Sequence, residues 1–287
     1  MNAAPRRSTP LGRVGAAEQD PGPIDFVARF AAAAERFAEA VARSDMRAPV
    51  PSCAPWSTYD LVVHLGNVHA WAATIVETGK PAAEQNDEPV SNRARTASRW
   101  YVGKAEDLYE VLRRCPPDGP CWNFAFGPGT AAFWSRRQLH ETTIHQVDLD
   151  LVAGRESELA ANVSTDGVDE VLTVFLRRMH QRGHPARLVR PLAVTATDTR
   201  DTWLLAPPPR HSAGTGVPAQ STGEPPLPTV SRARLGGDEG DAEDRLEAPA
   251  GVLHRLLWKR LPVENPQVRV DGDRARVAAF LGSRLVP

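Results

Sequence analysis

Glu141 and His145 stand four residues apart in the run AAFWSRRQLHETTIHQVDLDLVAG, whose pattern predicts one long helix. On a helix that spacing projects both side chains from one face, within reach of a common ion. Gln138 and Trp134 lie by turns before Glu141, and Asp148 lies a turn beyond His145. A polar stripe at 138, 141, 145 and 148, on a helix with few apolar residues to spare, is hard to leave on a solvated surface. Turned inward, a buried Glu and His need partners, and a divalent metal satisfies both. His64, on the inward side of a second predicted helix, is the natural third ligand. Two His and one Glu around zinc leave the fourth tetrahedral position free, which is the arrangement of a catalytic site. The ExxxH spacing alone also describes an exposed ion pair or a satisfied core histidine. The same ligand set accepts nickel or iron as well as zinc.

The remaining histidines do not join this set. His69 follows His64 by five residues, roughly 140° around a helix, and is kept out of the ligand shell. His140 projects away from the face of Glu141, towards solvent or a neighbouring helix. His180, His184, His211 and His254 have no recognisable spacing and are expected at the surface. Asp148 either orients a ligand from behind or pairs with one of the many Arg. Trp122 and Phe126, on the loop leading into the ligand-bearing helix, are candidates to wall a pocket near the metal and touch a cofactor. Trp56 is expected to anchor the loop before the second helix, and Cys53 to be a buried, inert thiol.

These side chains need a scaffold. A helix beginning near Pro23 carries Phe26, Phe30, Ala33, Phe37 and Val41 as one apolar stripe. The His64 helix opens with Ser57 as N-cap and Asp60 three residues later, a capping box, and closes at Gly79. Its apolar face runs Leu61, Leu65, Val68, Trp71 or Ala72, and Ile75. A third helix is predicted over Arg95–Arg114, and CPPDGPCWNFAFGPG reads as a breaker-rich loop. Thr130 then caps the metal-bearing helix, which ends at Gly154. Four helices with short to moderate connections imply an antiparallel bundle over residues 23–160. Residues 161–287 read as a small α/β domain: a helix at 166–181, strands at 192–196, 203–205, 230–235 and 267–270, and helices at 251–260 and 274–281. The fold class is therefore α+β. Residues 1–22 and the Pro/Gly/Ser-rich insertion 206–229 are expected to be disordered.

Composition narrows the function classes. The chain has 287 residues, with 41% hydrophobic and 24% charged, the balance of a globular protein. No apolar run is long enough to span a membrane, and the N-terminus has no secretory pattern. A net charge of −1 without a basic stripe gives no electrostatic case for nucleic acid. Three cysteines without a CxxC pair argue against a disulfide framework and for a reducing cytoplasm. Nearly all 34 basic residues are Arg, as in a high-GC bacterial genome.

WSTYDLVVHLGNVHAWA, followed by FWSRRQLHETTIHQVD, resembles the mycothiol-dependent maleylpyruvate isomerase family, part of the DinB-like metal-binding bundle superfamily. The first motif departs from the family's more usual PGWT-like turn by reading CAPWS. The resemblance implies a zinc site made by His64, Glu141 and His145, the same three residues that spacing proposed. It also implies mycothiol, the thiol of actinobacteria, as cofactor. Coordination to zinc deprotonates a thiol that is otherwise only a few per cent thiolate at neutral pH. Such a thiolate attacks an electrophilic small molecule, giving cis–trans isomerisation or S-transfer. The expected protein is a cytoplasmic enzyme, a monomer or weak homodimer, whose partners are that electrophile and a low-molecular-weight thiol. A zinc-hydroxide hydrolase, and a non-catalytic metal- or thiol-binding stress protein, are the alternatives.

Overall fold

In the computed structural model the described residues are 23–208, 227–234 and 242–287. The expected N-terminal tail and all but the ends of the 206–229 insertion lie outside them, as does His211. The chain divides into two compact units that part between Ser157 and Glu158.

The first unit is helical. Helix α1 (Phe26–Val41) is capped by Asp25, whose Oδ1 accepts from the Ala28 N–H at 3.0 Å, and it buries Phe30, Phe37 and Val41. Helix α2 (Thr58–Thr78) has the full capping box of Ser57 and Asp60 and ends on Gly79. Gly79 takes φ +69°, a left-handed conformation that other residues adopt at a cost. Helix α3 (Ala94–Arg114) crosses α2 closely at Gly66, where a Cβ would clash with the Trp100 ring. Helix α4 (Ala132–Val152) packs on α1 and α2, so the four helices close as a bundle.

Two expectations fail before α4. The breaker-rich segment is a β-hairpin, β1 (Pro120–Asn123) paired antiparallel with β2 (Gly127–Thr130). Thr130 is therefore spent opposite Pro120 in the ladder and does not cap α4; the N-cap position is Ala131, with no side-chain cap. Asn123 makes the turn, its Oδ1 accepting from the N–H groups of Ala125 and Phe126.

The second unit is mixed. Helices α5 (Ala161–Glu170) and α6 (Leu176–Gln181) are joined by a π-helical stretch, Val171–Phe175, so the helix begins earlier than the pattern predicts. Strands β3 (Leu192–Ala196), β4 (Asp201–Ala206), β5 (Thr229–Arg234), β6 (Asp244–Ala248) and β7 (Arg269–Asp271) form one sheet in the order β5-β4-β3-β6-β7. The β3–β6 pair is parallel and the others are antiparallel. Helices α7 (Ala250–Leu257) and α8 (Arg274–Leu281) complete the unit. Sequence reading missed β6, whose DRLEA is too polar to stand out. It also misplaced His180 and His254, which are buried, the latter with its ring against Gly167. His184 is exposed, as expected.

Candidate metal centre

Helix α4 buries Arg137, Gln138, His140, Thr142, His145 and Asp148 together with Trp134, Leu139 and Ile144. An unsatisfied buried polar group costs about 1–3 kcal/mol, so a helix of this kind must find partners on its neighbours. Gln138 finds His69: its Oε1 accepts from the ring Nδ1 at 2.7 Å, while Tyr101 Oη lies 3.1 Å from Nε2. Burial depresses His69 to about 4, the bond to Gln138 opposing only in part, so the ring is neutral and structural. Its exclusion from the ligand set fits this placement. His140 is buried against Phe26 of α1, edge-on at 6.5 Å.

The stripe expected to hold a metal converges. His64 Nε2 lies 3.4 Å from Glu141 Oε1, and His145 Nε2 lies 3.2 Å from the same oxygen. The three donor atoms fall within 4.8 Å of one another. Zinc bonds of about 2.0–2.2 Å at the tetrahedral angle set neighbouring donors about 3.4 Å apart, which the two separations from Glu141 Oε1 match. The second carboxylate oxygen is taken: Arg137 Nη2, on a side chain only 3% exposed, is 2.7 Å from Glu141 Oε2. Burial works against the charge on Glu141, but Arg137 and the two histidines hold its carboxyl well below the usual carboxylate range. Glu141 therefore offers one anionic oxygen, Oε1, and no more.

Asp148 holds His145 from behind. Its Oδ2 lies 2.8 Å from His145 Nδ1, and its Oδ1 accepts from Ser52 Oγ at 2.5 Å. A carboxylate on Nδ1 fixes the proton there and leaves Nε2 free to coordinate. Burial lowers the His145 pKa, yet the hydrogen bonds to Asp148 and Glu141 outweigh it and raise the value to about 9. Of the two roles open to Asp148, the orienting one matches this geometry. Cys53 is only half-buried, and its Sγ is 3.4 Å from Asp148 Oδ2, so it is not sealed in the core as expected.

The side chain of His64 is 35% exposed against 8% for His145, so the site opens past His64. There a cleft of about 580 Å³ is lined by Trp56, Val68, Trp71 and the loop residues Glu84, Gln85 and Asn86, among others. Trp56 does more than anchor its loop, since its ring lies 4.7 Å from that of His64. Trp122 and Phe126 are not among the lining residues. They sit on the hairpin, where the Trp122 carbonyl accepts from Trp134 Nε1 and Phe126 is 45% exposed. The hairpin's Phe124 stacks on Trp71, one of the lining residues, at 6.5 Å.

Residues 12–150 match the family model of the mycothiol maleylpyruvate isomerase N-terminal domain. The N-terminal part of the chain carries this domain. Two solved structures share its fold: a mycothiol-dependent maleylpyruvate isomerase, with 11% identity, a TM-score of 0.53, and 86% of this chain and 92% of that one covered; and a histidine-to-alanine mutant of such an isomerase, with 10% identity, a TM-score of 0.54 and the same coverage. No curated protein matches the chain. Among the described residues, no helix is long and apolar enough to cross a membrane.

Proposed function

We propose that the protein is a zinc enzyme that uses mycothiol, or a thiol like it, to act on an electrophilic small molecule by isomerisation or S-transfer. The convergence of His64 Nε2, Glu141 Oε1 and His145 Nε2 within 4.8 Å of one another, beside an open cleft, carries this reading. The donor set fits the metal: two imidazole nitrogens and one carboxylate oxygen are what a three-ligand catalytic zinc site takes. Zinc held there would supply a Lewis acid that keeps a thiol deprotonated at neutral pH.

The protein's own residues do the rest. Asp148 sets the His145 tautomer, and Arg137 turns one Glu141 oxygen away and keeps the carboxyl ionised. Trp56 flattens the approach to His64, so reactants enter from the cleft side. A zinc-hydroxide hydrolase is served by a free general base beside the metal. Glu141 and Asp148 are both engaged, with Arg137 and with His145, Ser52 and Cys53, which favours the thiol-dependent reading. Three free cysteines suit a reducing compartment, and we place the protein in the cytoplasm.

Elemental analysis of the purified protein, beside Ala variants at His64, Glu141 and His145, tests the site. About one zinc per chain, lost in each variant, is expected for a three-ligand centre. Turnover that depends on added thiol then separates the transferase or isomerase from the hydrolase. No metal in the wild type after zinc reconstitution overturns the reading.

A further inference from the structure

The cleft beside His64 has a charge pattern of its own. Trp56 and Trp71 give it aromatic walls, Val63 and Val68 line it between them, and Asp60 and Glu84 add carboxylates. Its volume of about 580 Å³ lies in the range of small-molecule sites. Among the described residues, neither Lys nor Arg lines it. The loop that closes one side reads Glu84-Gln85-Asn86-Asp87-Glu88. Of its acids, Asp87 is neutralised, by Lys104 at 2.6 Å, whereas among the described residues Glu88 meets only the Tyr59 hydroxyl, at 3.4 Å.

This acidic rim is held in place. Asn67 donates from Nδ2 to the Asp87 carbonyl and accepts the Asp87 N–H on Oδ1, both at 2.9 Å. Trp71 Nε1 donates to the Ala82 carbonyl at 2.9 Å, pinning the start of the same loop. The loop backbone that carries these carboxylates is therefore fixed beside the cleft.

We propose that this cleft admits uncharged or cationic molecules and turns away carboxylates, so that the electrophile used here is not a dicarboxylate. The inference rests on the proposed thiol chemistry at the same site. At the dielectric of water, each fixed carboxylate about 6–8 Å from an incoming anion disfavours it about two- to threefold. Two or three of them acting together give about a tenfold preference, one that salt screens.

The test uses the full chain loaded with cobalt(II), in which a thiolate bound to the metal gives a charge-transfer absorption, so affinity is read without a substrate. The probes are 2-mercaptoethanol, 3-mercaptopropionate and cysteamine: neutral, anionic and cationic thiols of similar size. Expected is binding of 3-mercaptopropionate about tenfold weaker than 2-mercaptoethanol, with cysteamine at least as tight as the neutral thiol. The gap should narrow to about threefold in the Glu84→Gln, Glu88→Gln double variant and in high salt. Comparing each ratio between wild type and variant cancels the probes' own thiol acidities. Equal affinities in the wild type, or a gap untouched by both the variant and salt, would overturn the charge selection and leave the thiol reading standing. No charge-transfer band with any probe would overturn the thiol reading, and this inference with it.

Discussion

His145 is pulled two ways, by a buried position that opposes charge and by two carboxylates that favour it, and the carboxylates win. In the metal-free protein the ring is protonated below pH about 9. Zinc must displace that proton, so its affinity should fall about tenfold for each pH unit below that value, as linkage requires. Competition against a chromophoric chelator between pH 7 and 9 reads the slope; an affinity independent of pH would show that His145 is not a ligand. Asp148→Ala removes the group that orients the ring, and about a 10- to 100-fold loss of zinc affinity is expected at high pH. At neutral pH the loss should be smaller, because the variant also removes a cause of the raised pKa. The three donors were legible because two of them share one helical face and the third lies on a capped helix. Ser52, Cys53 and the loop at 84–86 were not, since each meets its partner only through tertiary contacts that no local spacing announces.

Helices α2, α3 and α4 meet in a buried polar knot of His69, Gln138, Tyr101 and Thr142, and that knot sets where Glu141 stands relative to His64. Gln138→Leu leaves His69 Nδ1 without a partner in the core, so about 1–3 kcal/mol of stability should be lost in denaturant unfolding. A loss near zero would mean that water replaces the amide. Gly66→Ala forces a methyl into Trp100 and should cost a similar 1–3 kcal/mol by overpacking, unless the indole swings aside. Both variants leave the ligands untouched, so zinc stoichiometry should hold while affinity falls. The bundle helices could be read from apolar periodicity and caps, as Ser57, Asp60 and Gly79 show. The hairpin could not, because Gly127, Pro128 and Gly129 signal a break whether or not their backbone is paired. Helix α4 has no single apolar stripe, and what marked it was an excess of polar residues that had to be buried together.

At the scale of the whole chain, each unit buries its own apolar core, and in the second the ion pair of a buried Asp244 is added to it. Asp244, at the start of β6, receives Arg276 of α8 through two bonds, Nε to Oδ2 at 2.7 Å and Nη2 to Oδ1 at 2.8 Å, and the Asp273 N–H at 2.8 Å. The Arg276 guanidinium, outweighing burial, holds the Asp244 carboxyl below its ordinary value of 3.8. Sequence reading assigned no element to 244–248, because nothing local announces that Asp244 has its partner in Arg276, some 30 residues later. A depressed carboxyl pKa stabilises the fold above the unfolded value and is lost as pH falls through the folded one. The second unit should therefore keep this contribution at neutral pH and shed it below about pH 4. Asp244→Asn keeps the shape but loses the charge-assisted bonds, at a cost of about 1–3 kcal/mol at pH 7. In that variant the stability difference from wild type should close as pH falls from 4 towards 2, as followed by urea unfolding at each pH. A difference that persists in acid would assign the role of Asp244 to packing, and the β6–α8 contact would then be apolar in origin.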